Sequence, residues 1–430
     1  MTVEDIKASE EMSPAFGVLS DDFTGGLLVA SYFEERGLEC PVYFDVDAAR
    51  ADRSRAPIVV IATRSRLMPV ADAEATIRRT LHALDELGCA AVAYKACASF
   101  DSTEEGNIGI AADLLSDHYD QVPLLISAGF PEFNATVHQG HLFYRGRLVS
   151  DSVKRFDPVT PMSDPDLVRF LSHQTRSPVG LISHLDLVRG ETVAREAVAR
   201  AVAGGHRHVL LDASDDADIE MSARLAKGSR AIVASDPLVI AFGLAQAAGR
   251  KGTAPSPVRA GGPAAVLAGS VGPVIEEQLA IFGAQHPIHV IDLLKDASED
   301  KLIAEALEWT AAHFGTRPFA ITTAAGEEDV RRIQARFGRL GAARRAERIL
   351  AGIGASLHSK GIRRLIVVGG ETSGSVVGAL GIGKVRALPR GPLGGGFCVS
   401  EEVRPTSLFL KSGKLGAPDV LLRALDAMEP

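Results

Sequence analysis

Short apolar runs recur along the chain, and each is followed by a stretch with helical spacing. Residues 15–20 precede a helical stretch at 25–36, and residues 58–63 precede another at 71–87. Strands that alternate with helices in this way are typical of a parallel sheet with helices on both faces. The pattern therefore predicts an α/β protein.

This alternation occupies two long segments that are separated by a stretch of different composition. Residues 249–263 are rich in Gly, Pro and basic residues without periodicity, which is typical of an interdomain linker. We predict an N-terminal domain at 1–248 and a C-terminal domain at 264–430, each a largely parallel sheet flanked by helices. An active-site cleft between the domains is expected, because enzymes that join two small ligands often use one. For residues 129–161 we expect irregular structure or a short hairpin.

Composition narrows the class of protein. The 430 residues are 46% hydrophobic and 23% charged, which is typical of globular proteins. The formal net charge of −8 argues against a nucleic-acid-binding surface. There is no apolar run long enough for a membrane span, no signal-peptide pattern and no CxxC pair. We therefore expect a cytoplasmic protein with neither nucleic-acid nor membrane partners.

Two adjacent carboxylates follow the first predicted strand. Asp21 and Asp22 come directly after it, and Thr24 with two glycines opens the next helix. Ligands gather at the carboxyl ends of strands in open α/β sheets, and a carboxylate there can accept a hydroxyl proton or hold a metal-bound water. The same residue types cap helices, so the pattern fits a capping role equally well. Asp22 is our candidate catalytic base, with Asp21 as the alternative.

Other polar residues of the first half are candidates for substrate binding. Lys95 ends an apolar run and can supply a positive charge, and Arg64 can hold a carboxylate through two hydrogen bonds, although exposed loop arginines are common. The remaining candidates carry groups that form hydrogen bonds with a sugar: Thr24, Asp101, Ser102, Asn107, His138 and Gln139. We assign no metal to His138 and His141, because no further ligand completes a set.

A strand-to-helix turn in the second half is rich in glycine and hydroxyl groups. Glycines let the backbone approach a phosphate, and a helix N-terminus offers N–H groups and a positive dipole. Similar turns occur at 268–270 and 408–413, so we predict one nucleotide site built from three turns. Its candidate residues are Ser270, Gly369, Gly370, Glu371, Thr372, Ser373, Gly374, Lys411 and Gly413.

Two common nucleotide-binding motifs are not satisfied. Residues 378–384 have the glycine and lysine spacing of a P-loop, but Val385 replaces the required Ser or Thr. No G-x-G-x-x-G fingerprint follows a predicted strand. The chain is therefore neither a standard P-loop enzyme nor an evident dehydrogenase.

Several motifs, in this order along nearly the whole chain, resemble the four-carbon acid sugar kinase family, once known only as a domain of unknown function. Within that family they look like the 3-oxo-tetronate 4-kinases, with threonate and erythronate kinases as close neighbours. The motifs are Asp-Asp-Phe-Thr-Gly at 21–25, Phe-Asp-Ser-Thr at 100–103, Gly-Asn-Ile-Gly at 106–109, Phe-Pro-Glu at 130–132, Gln-Gly-His-Leu-Phe at 139–143, Pro-Val-Thr-Pro-Met-Ser-Asp-Pro at 158–165, Gly-Gly-Glu-Thr-Ser-Gly at 369–374 and Lys-Ser-Gly at 411–413.

The resemblance implies a sugar-acid domain followed by an ATP domain. It implies transfer of the γ-phosphoryl group of ATP to the terminal hydroxyl of a four-carbon sugar acid. For this transfer we hypothesise an in-line reaction with Mg²⁺ bridging ATP oxygens. By this similarity Ser270, the 370–374 turn and Gly413 contact ATP. Asp21, Asp22, Arg64, Lys95 and Asp101 face the sugar acid. The partners implied are the sugar acid and ATP, and a homodimer is left open as the assembly.

Two other functions fit the same motifs. A kinase for threonate, erythronate or another hydroxy acid would share every one of them. A non-catalytic sugar-acid sensor derived from the kinase is suggested by departures from the family turns at 234–237 and 391–396.

Overall fold

A computed structural model describes residues 13–52, 56–157, 159–251, 255–269, 271–323, 326–413 and 415–430. Its strands are β1 (Phe16–Ser20), β2 (Pro41–Tyr43), β3 (Ile58–Ala62), β4 (Ala91–Lys95), β5 (Leu124–Ser127), β6 (Ala135–His138), β7 (His141–Tyr144), β8 (Arg147–Leu148), β9 (Val179–Ile182), β10 (His208–Leu211), β11 (Ala231–Ala234), β12 (Ala264–Ala268), β13 (Ile288–Val290), β14 (Phe319–Thr322), β15 (Arg364–Val368), β16 (Lys384–Ala387), β17 (Phe397–Ser400) and β18 (Ser407–Lys411).

The α-helices are α1 (Phe23–Glu35), α2 (Val46–Ala51), α3 (Val70–Glu86), α4 (Ile108–His118), α5 (Leu167–Ser172), α6 (His184–Leu187), α7 (Glu191–Ala203), α8 (Asp216–Leu225), α9 (Asp236–Gln246), α10 (Pro273–Gly283), α11 (Glu299–Thr310), α12 (Glu327–Phe337), α13 (Arg339–Ser359), α14 (Gly370–Ala379) and α15 (Val420–Ala427). Short 3₁₀ helices span Ser65–Leu67, Pro131–Phe133, Val149–Asp151 and Val153–Phe156. Within the described ranges, none of the helices is long and apolar enough to cross a membrane.

Contacts within the chain group its residues into two units. The first is Met1–Asp21 with Arg36–Thr253, and the second is Asp22–Glu35 with Ala254–Pro430; only their described residues are discussed. The second unit therefore includes an N-terminal segment, 22–35, that a boundary drawn from the sequence alone places in the first domain.

The first unit contains a parallel sheet with the strand order β2–β3–β1–β4–β11–β5–β10–β9. Strands β1, β3 and β4 are buried along their whole length, which explains their nearly continuous apolar runs. The register aligns Ser20 with Ala62 and Lys95. The polar residues that follow these strands consequently lie along one edge of the sheet.

A small antiparallel sheet, β6–β7–β8, occupies the segment for which a short hairpin was one expectation. Its two turns, Gln139–Gly140 and Arg145–Gly146, both have positive φ at each residue, with values of 48° and 77° and of 53° and 76°. Two-residue turns of this kind match the twist of antiparallel strands. The hairpin is therefore confirmed.

The second unit contains a sheet with the order β13–β14–β12–β15–β18–β17–β16. Strands β13, β14, β12, β15 and β18 are parallel, whereas β17 pairs antiparallel with both β16 and β18. The largely parallel α/β class is confirmed in both units. The antiparallel strands were missed because no helix separates them, and the connection at 388–396 is short and rich in Gly and Pro.

Helix α1 is bound into the second unit by specific contacts. Arg386 donates from Nε and Nη2 to the two carboxylate oxygens of Glu34, at 2.7 and 2.8 Å. The Arg390 guanidinium stacks on the Tyr32 ring, with its Cζ 3.9 Å from the ring centroid. Gly395 packs so closely that an added Cβ would lie 2.5 Å from Ser31 Oγ. These contacts explain why segment 22–35 groups with residues far from it in sequence.

We predict that Glu34→Gln lowers the midpoint of thermal unfolding, because it leaves the Arg386 guanidinium, whose side chain is only 3% exposed, without its carboxylate. Removal of one partner from a buried ion pair costs about 3–5 kcal/mol. Calorimetry would measure the effect. Glu74→Gln, which breaks the exposed pair with Arg78, is the matched control and should cost no more than about 0.5 kcal/mol. Equal effects of the two substitutions would contradict the role of Glu34.

Candidate functional site

The glycine-rich turn of the second unit connects β15 to α14. Gly369 has a φ of 117°, which favours glycine, and it precedes the first residue of the helix. Its N–H donates to the carbonyl of Lys411 at 2.9 Å, which ties the turn to the end of β18. The first intrahelical bond is donated by Ser373, so the N–H groups that precede it face out of the helix N-terminus. This is the local geometry that binds phosphate groups.

The hydroxyl groups of this turn serve the turn itself. Ser373 Oγ donates to the Gly369 carbonyl at 2.7 Å. Thr372 packs against Gly269, where an added Cβ would lie 2.3 Å from Thr372 Oγ1. The Ser373 hydroxyl is therefore engaged within the turn, whereas the backbone N–H groups at Gly370 and Glu371 precede the first intrahelical bond. Ser270, another candidate for the nucleotide site, lies outside the described residues.

Asp22 lies against the N-terminus of α14, within the second unit. A Cβ built on Gly370 would lie 3.5 Å from Asp22 Oδ2 and 3.9 Å from Thr24 Oγ1. Asp22 Oδ1 accepts a hydrogen bond from Gly25 N at 2.8 Å, and Oδ2 accepts one from Thr24 Oγ1 at 2.9 Å. The carboxylate thus caps α1, as one interpretation of the sequence pattern predicted, and lies beside the glycine turn.

Asp21 has a different environment from its neighbour. Both of its carboxylate oxygens accept hydrogen bonds from Arg66, from Nε and Nη2, at 2.8 Å each. Its backbone N–H donates to the carbonyl of Lys95 at 3.0 Å, so it is held in the first unit. A fully buried carboxylate paired in this bidentate way holds structure together and is poorly placed to accept a substrate proton. Sequence reasoning selected Arg64 as the functional arginine and did not single out Arg66.

Asn107 offers a buried hydrogen-bond acceptor in the first unit. Its side-chain Nδ2 donates to the carbonyls of Ser65 at 2.6 Å and Met68 at 3.0 Å. In the part of the chain that the structure describes, its Oδ1 is buried without a hydrogen-bond partner. A buried acceptor of this kind is costly unless a ligand satisfies it. Asn107 is thus suited to accept a hydrogen bond from a substrate hydroxyl.

Two cationic candidates belong to the same unit, of which Lys95 is buried and Arg64 is half-buried. Arg64 directly precedes the 3₁₀ helix whose residues Asn107 contacts. Lys95 ends β4, the strand next to β1, and its Nζ is 3.4 Å from Asp236 Oδ1. Lys95 and the residues that follow β1 and β3, Asp21 and Arg64, therefore lie along the same edge of the sheet. Asn107 joins this edge through its hydrogen bond to Ser65.

Asp101 is neutralised by a lysine that sequence reasoning did not find. Lys154 Nζ lies 2.7 and 2.8 Å from the two Asp101 oxygens and 2.7 Å from Ser99 Oγ. Phe100, between them, is fully buried with a φ of 53°, an unfavourable conformation for a bulky residue. Three acceptors use all three ammonium donors, so this segment is rigid. No local pattern distinguishes Lys154, because only the fold brings it to Asp101.

Ser102 is part of the same buried network. Its hydroxyl accepts a hydrogen bond from Gln174 Nε2 at 3.1 Å, and the same nitrogen donates to the Thr103 carbonyl at 2.6 Å. Gln174 Oε1 accepts from Gly109 N at 2.8 Å. Ser102 therefore helps to fix the start of α4.

His138 and Gln139 belong to the small antiparallel sheet, at the end of β6 and in the turn that follows it. Gln139 N and Gly140 N donate to Asp212, which follows β10, at 2.5 and 2.8 Å, and His138 Nδ1 is 3.0 Å from Ser214 Oγ. Burial raises the pKa of Asp212, although these N–H groups oppose the shift. Strand β10 is three positions from β4, and neighbouring strands are about 4.8 Å apart. These two candidates therefore form a polar cluster separate from Lys95.

Lys411 ends β18 and is buried beside the Gly369 turn. Its Nζ donates to Gln278 Oε1 at 3.0 Å and to the Ser412 carbonyl at 2.7 Å. Burial lowers the pKa of Lys411 to about 8. Gly413, the last candidate, is buried two residues later.

One group of side chains among the described residues has the spacing of metal ligands. His82, Asp85 and His118 place one ligand atom each within 4.8 Å of one another. However, Asp85 Oδ1 also accepts hydrogen bonds from Arg230 Nη2 and Tyr119 Oη, at 3.1 Å each. The guanidinium opposes a divalent cation at this point, so we interpret the group as a link between α3, α4 and β11.

Comparison with known proteins decides the family. The Sugar-binding N-terminal domain model matches residues 16–242, and the Nucleotide-binding C-terminal domain model matches residues 265–421. The chain belongs to this two-domain family. The resemblance on which the sequence analysis relied is thereby confirmed.

Relatives in this family cover the whole length of the chain. Proteins named 3-oxo-tetronate kinase from Methylobacterium radiotolerans and Burkholderia multivorans are each 35% identical to it, over 97% of this chain and over 100% and 98% of their own lengths. A solved structure from Salmonella typhimurium LT2, described as a tRNA synthase, is 30% identical with a TM-score of 0.77 and covers 95% of this chain and 98% of its own. Haemophilus influenzae protein HI1011 is 27% identical, with a TM-score of 0.71 and 96% and 100% coverage.

We predict that substitution of the two adjacent carboxylates, Asp21 and Asp22, changes the free energy of unfolding by different amounts. Asp21→Asn removes the charge that Arg66 requires and should cost about 1.5–3 kcal/mol, the value of hydrogen bonds to charged groups. Asp22→Asn keeps a good helix cap and should change stability little. Thermal unfolding of the two variants would measure both effects. A larger loss for Asp22→Asn would contradict this assignment.

Proposed function

We propose that this protein is an ATP-dependent kinase that phosphorylates the terminal 4-hydroxyl of a four-carbon sugar acid, with 3-oxo-tetronate as the substrate. The names of the full-length relatives support the reaction and the substrate. The observation that carries the mechanism is the position of Asp22 against the N-terminus of α14, in the unit that matches the nucleotide-binding domain.

The nucleotide-binding residues are proposed from the turn geometry. The backbone N–H groups at Gly370 and Glu371 bind phosphate oxygens, and the ammonium of Lys411 neutralises part of their charge. The Thr372 and Ser373 side chains shape the turn, because their hydroxyls pack or bond within it. Gly413, at the end of the neighbouring strand, leaves room for the nucleotide.

The chain also offers a ligand for magnesium. A carboxylate and a triphosphate at the same helix N-terminus repel each other unless a cation lies between them. The oxygen atoms of Asp22 are the type of ligand that Mg²⁺ prefers, directly or through water. When bound, Mg²⁺ neutralises charge on the phosphate oxygens.

The sugar acid is proposed to bind to the first unit. Lys95 and Arg64 supply positive charge for its carboxylate, and the Asn107 amide oxygen accepts a hydrogen bond from a hydroxyl. Asp101, held by Lys154, and Ser102, held by Gln174, keep this region rigid and contribute indirectly. His138 and Gln139 are left without a direct role in this arrangement.

Asp22 is proposed to orient the attacking hydroxyl and to accept its proton. The hydroxyl oxygen forms a bond to the γ-phosphorus as the bond from that phosphorus to the β,γ-bridging oxygen breaks, and ADP leaves. The hydrogen bonds from Gly25 N and Thr24 Oγ1 hold the carboxylate in one orientation. Phosphoryl transfer requires mainly such positioning and charge neutralisation.

The substrate is tested by a coupled ADP-release assay over 3-oxo-tetronates, threonate, erythronate and longer aldonates. We expect the highest kcat/KM with a 3-oxo-tetronate, and phosphorus NMR should place the new phosphate on the C4 oxygen. If kcat/KM is higher for threonate or erythronate than for a 3-oxo-tetronate, that compound would be assigned as the substrate instead. Sugar-acid binding without ADP release from any compound would instead support a non-catalytic sensor.

The location of the protein in the cytoplasm and its assembly as a homodimer stay predictions.

We expect Asp22→Asn to lower kcat by about 10²–10⁴-fold, the usual contribution of a positioned acid–base group. A large change in kcat with a small change in the melting temperature is the expected result. Thr24→Val, which removes one hydrogen bond to Asp22 and keeps the side-chain shape, should give a smaller loss. Turnover at the wild-type rate in Asp22→Asn would remove this residue from the mechanism.

A further inference from the structure

Gln278 is a buried amide with an unusually well-defined orientation. It lies on α10 with 1% of its surface exposed, and its Nε2 is 3.2 Å from each of the carbonyl oxygens of Leu415, Gly416 and Ala417. An amide nitrogen donates and cannot accept, so the three carbonyls fix which end of the side chain faces them. The Oε1 atom must therefore point away from this loop.

That oxygen is the acceptor for Lys411. Nζ of Lys411 is 3.0 Å from Gln278 Oε1 and 2.7 Å from the Ser412 carbonyl, and both acceptors are neutral. Across the described ranges, no carboxylate forms an ion pair with this ammonium. The backbone of Lys411 in turn accepts a hydrogen bond from Gly369 N, in the turn assigned to phosphate.

Because Gln278 carries an amide and not a carboxylate, it accepts a hydrogen bond from Lys411 without neutralising the charge of the ammonium. A buried ammonium without a counter-ion is unfavourable, and burial is the cause that lowers the pKa of Lys411 to about 8. Among the described residues it donates to two acceptors, so the third ammonium donor can serve an incoming anion. A glutamate in place of Gln278 would satisfy the charge permanently and weaken its attraction for phosphate.

We propose that Gln278 is a positioning residue that directs Lys411 toward a phosphate group of the bound nucleotide without neutralising it. Gln278 acts through Lys411 and through the 415–417 loop. The proposal rests on the nucleotide site proposed above.

The test is calorimetric titration of the full-length protein with ADP near pH 8, in two buffers of different ionisation enthalpy. A nearby phosphate raises the pKa of Lys411 above its free value, so the wild-type protein should take up a proton on binding, and its ADP affinity should fall as the pH rises through that value. Gln278→Glu should weaken ADP binding roughly tenfold or more. It should also reduce the proton uptake, because its carboxylate already keeps Lys411 protonated.

Two further variants distinguish a loss of ADP affinity that acts through Lys411 from a loss caused by added charge or by disruption of the fold. Gln285→Glu adds the same charge at an exposed site just after α10 and should bind ADP as the wild type does. In a Lys411→Gln background, Gln278→Glu should cause no further loss of affinity, because the effect passes through Lys411. If Gln278→Glu does not fold, Gln278→Met, which keeps the size and adds no charge, should still bind ADP more weakly than the wild type.

The outcomes that overturn the inference differ from those that overturn the proposed function. Wild-type protein that does not bind ADP would contradict the nucleotide site itself. If the wild type binds ADP, unchanged affinity and proton uptake in the folded Gln278 variants would overturn the role of Gln278. If Gln278→Glu weakens ADP binding in the Lys411→Gln background as much as it does in the wild type, the effect does not pass through Lys411. Gln278 would then have a purely structural role, and the inference would be overturned.

Discussion

The packing of helix α1 into the second unit is the constraint on which the rest of the site depends. Its buried ion pair from Glu34 to Arg386 and the stacking of Arg390 on Tyr32 fix this helix among residues more than 350 positions later in the chain. Because α1 begins at Phe23, its N-terminal cap, Asp22, is carried to the glycine turn of α14. An acidic group thereby lies beside the helix N-terminus proposed to bind phosphate, although in sequence it directly follows the first strand of the other unit.

Asp21 and Asp22 are adjacent in the sequence, but the fold gives their carboxylates different partners. Both carboxylate oxygens of Asp21 accept hydrogen bonds from the Arg66 guanidinium. The Asp22 carboxylate accepts hydrogen bonds from one backbone N–H and one hydroxyl, beside the glycine turn. The same distinction recurs among the other polar residues. Asp101 and Ser102 are satisfied by Lys154 and Gln174, while Asn107 retains a buried acceptor among the described residues. Groups that still have hydrogen-bonding capacity are the ones suited to bind ligands.

The sequence predicted the α/β class, the parallel strand-and-helix alternation of both units and the glycine turn, because each depends on local periodicity or on a strand-to-helix turn. It also selected Asp22, Lys95 and Asn107 as site candidates, and their roles stay predictions. It did not find Arg66, Lys154 or Gln278, since their roles depend on contacts with residues 45, 53 and 133 positions away. The grouping of 22–35 with the second unit was missed for the same reason. A boundary drawn by composition assumes that neighbours in sequence stay together.

The most direct test is a crystal structure of the protein with magnesium and a non-hydrolysable ATP analogue. The account predicts that phosphate oxygens lie within hydrogen-bond distance of the backbone N–H groups at Gly370 and Glu371, with a metal ion or its water against the Asp22 carboxylate. Phosphates bound away from the 369–374 turn, or metal coordinated without Asp22, would contradict it.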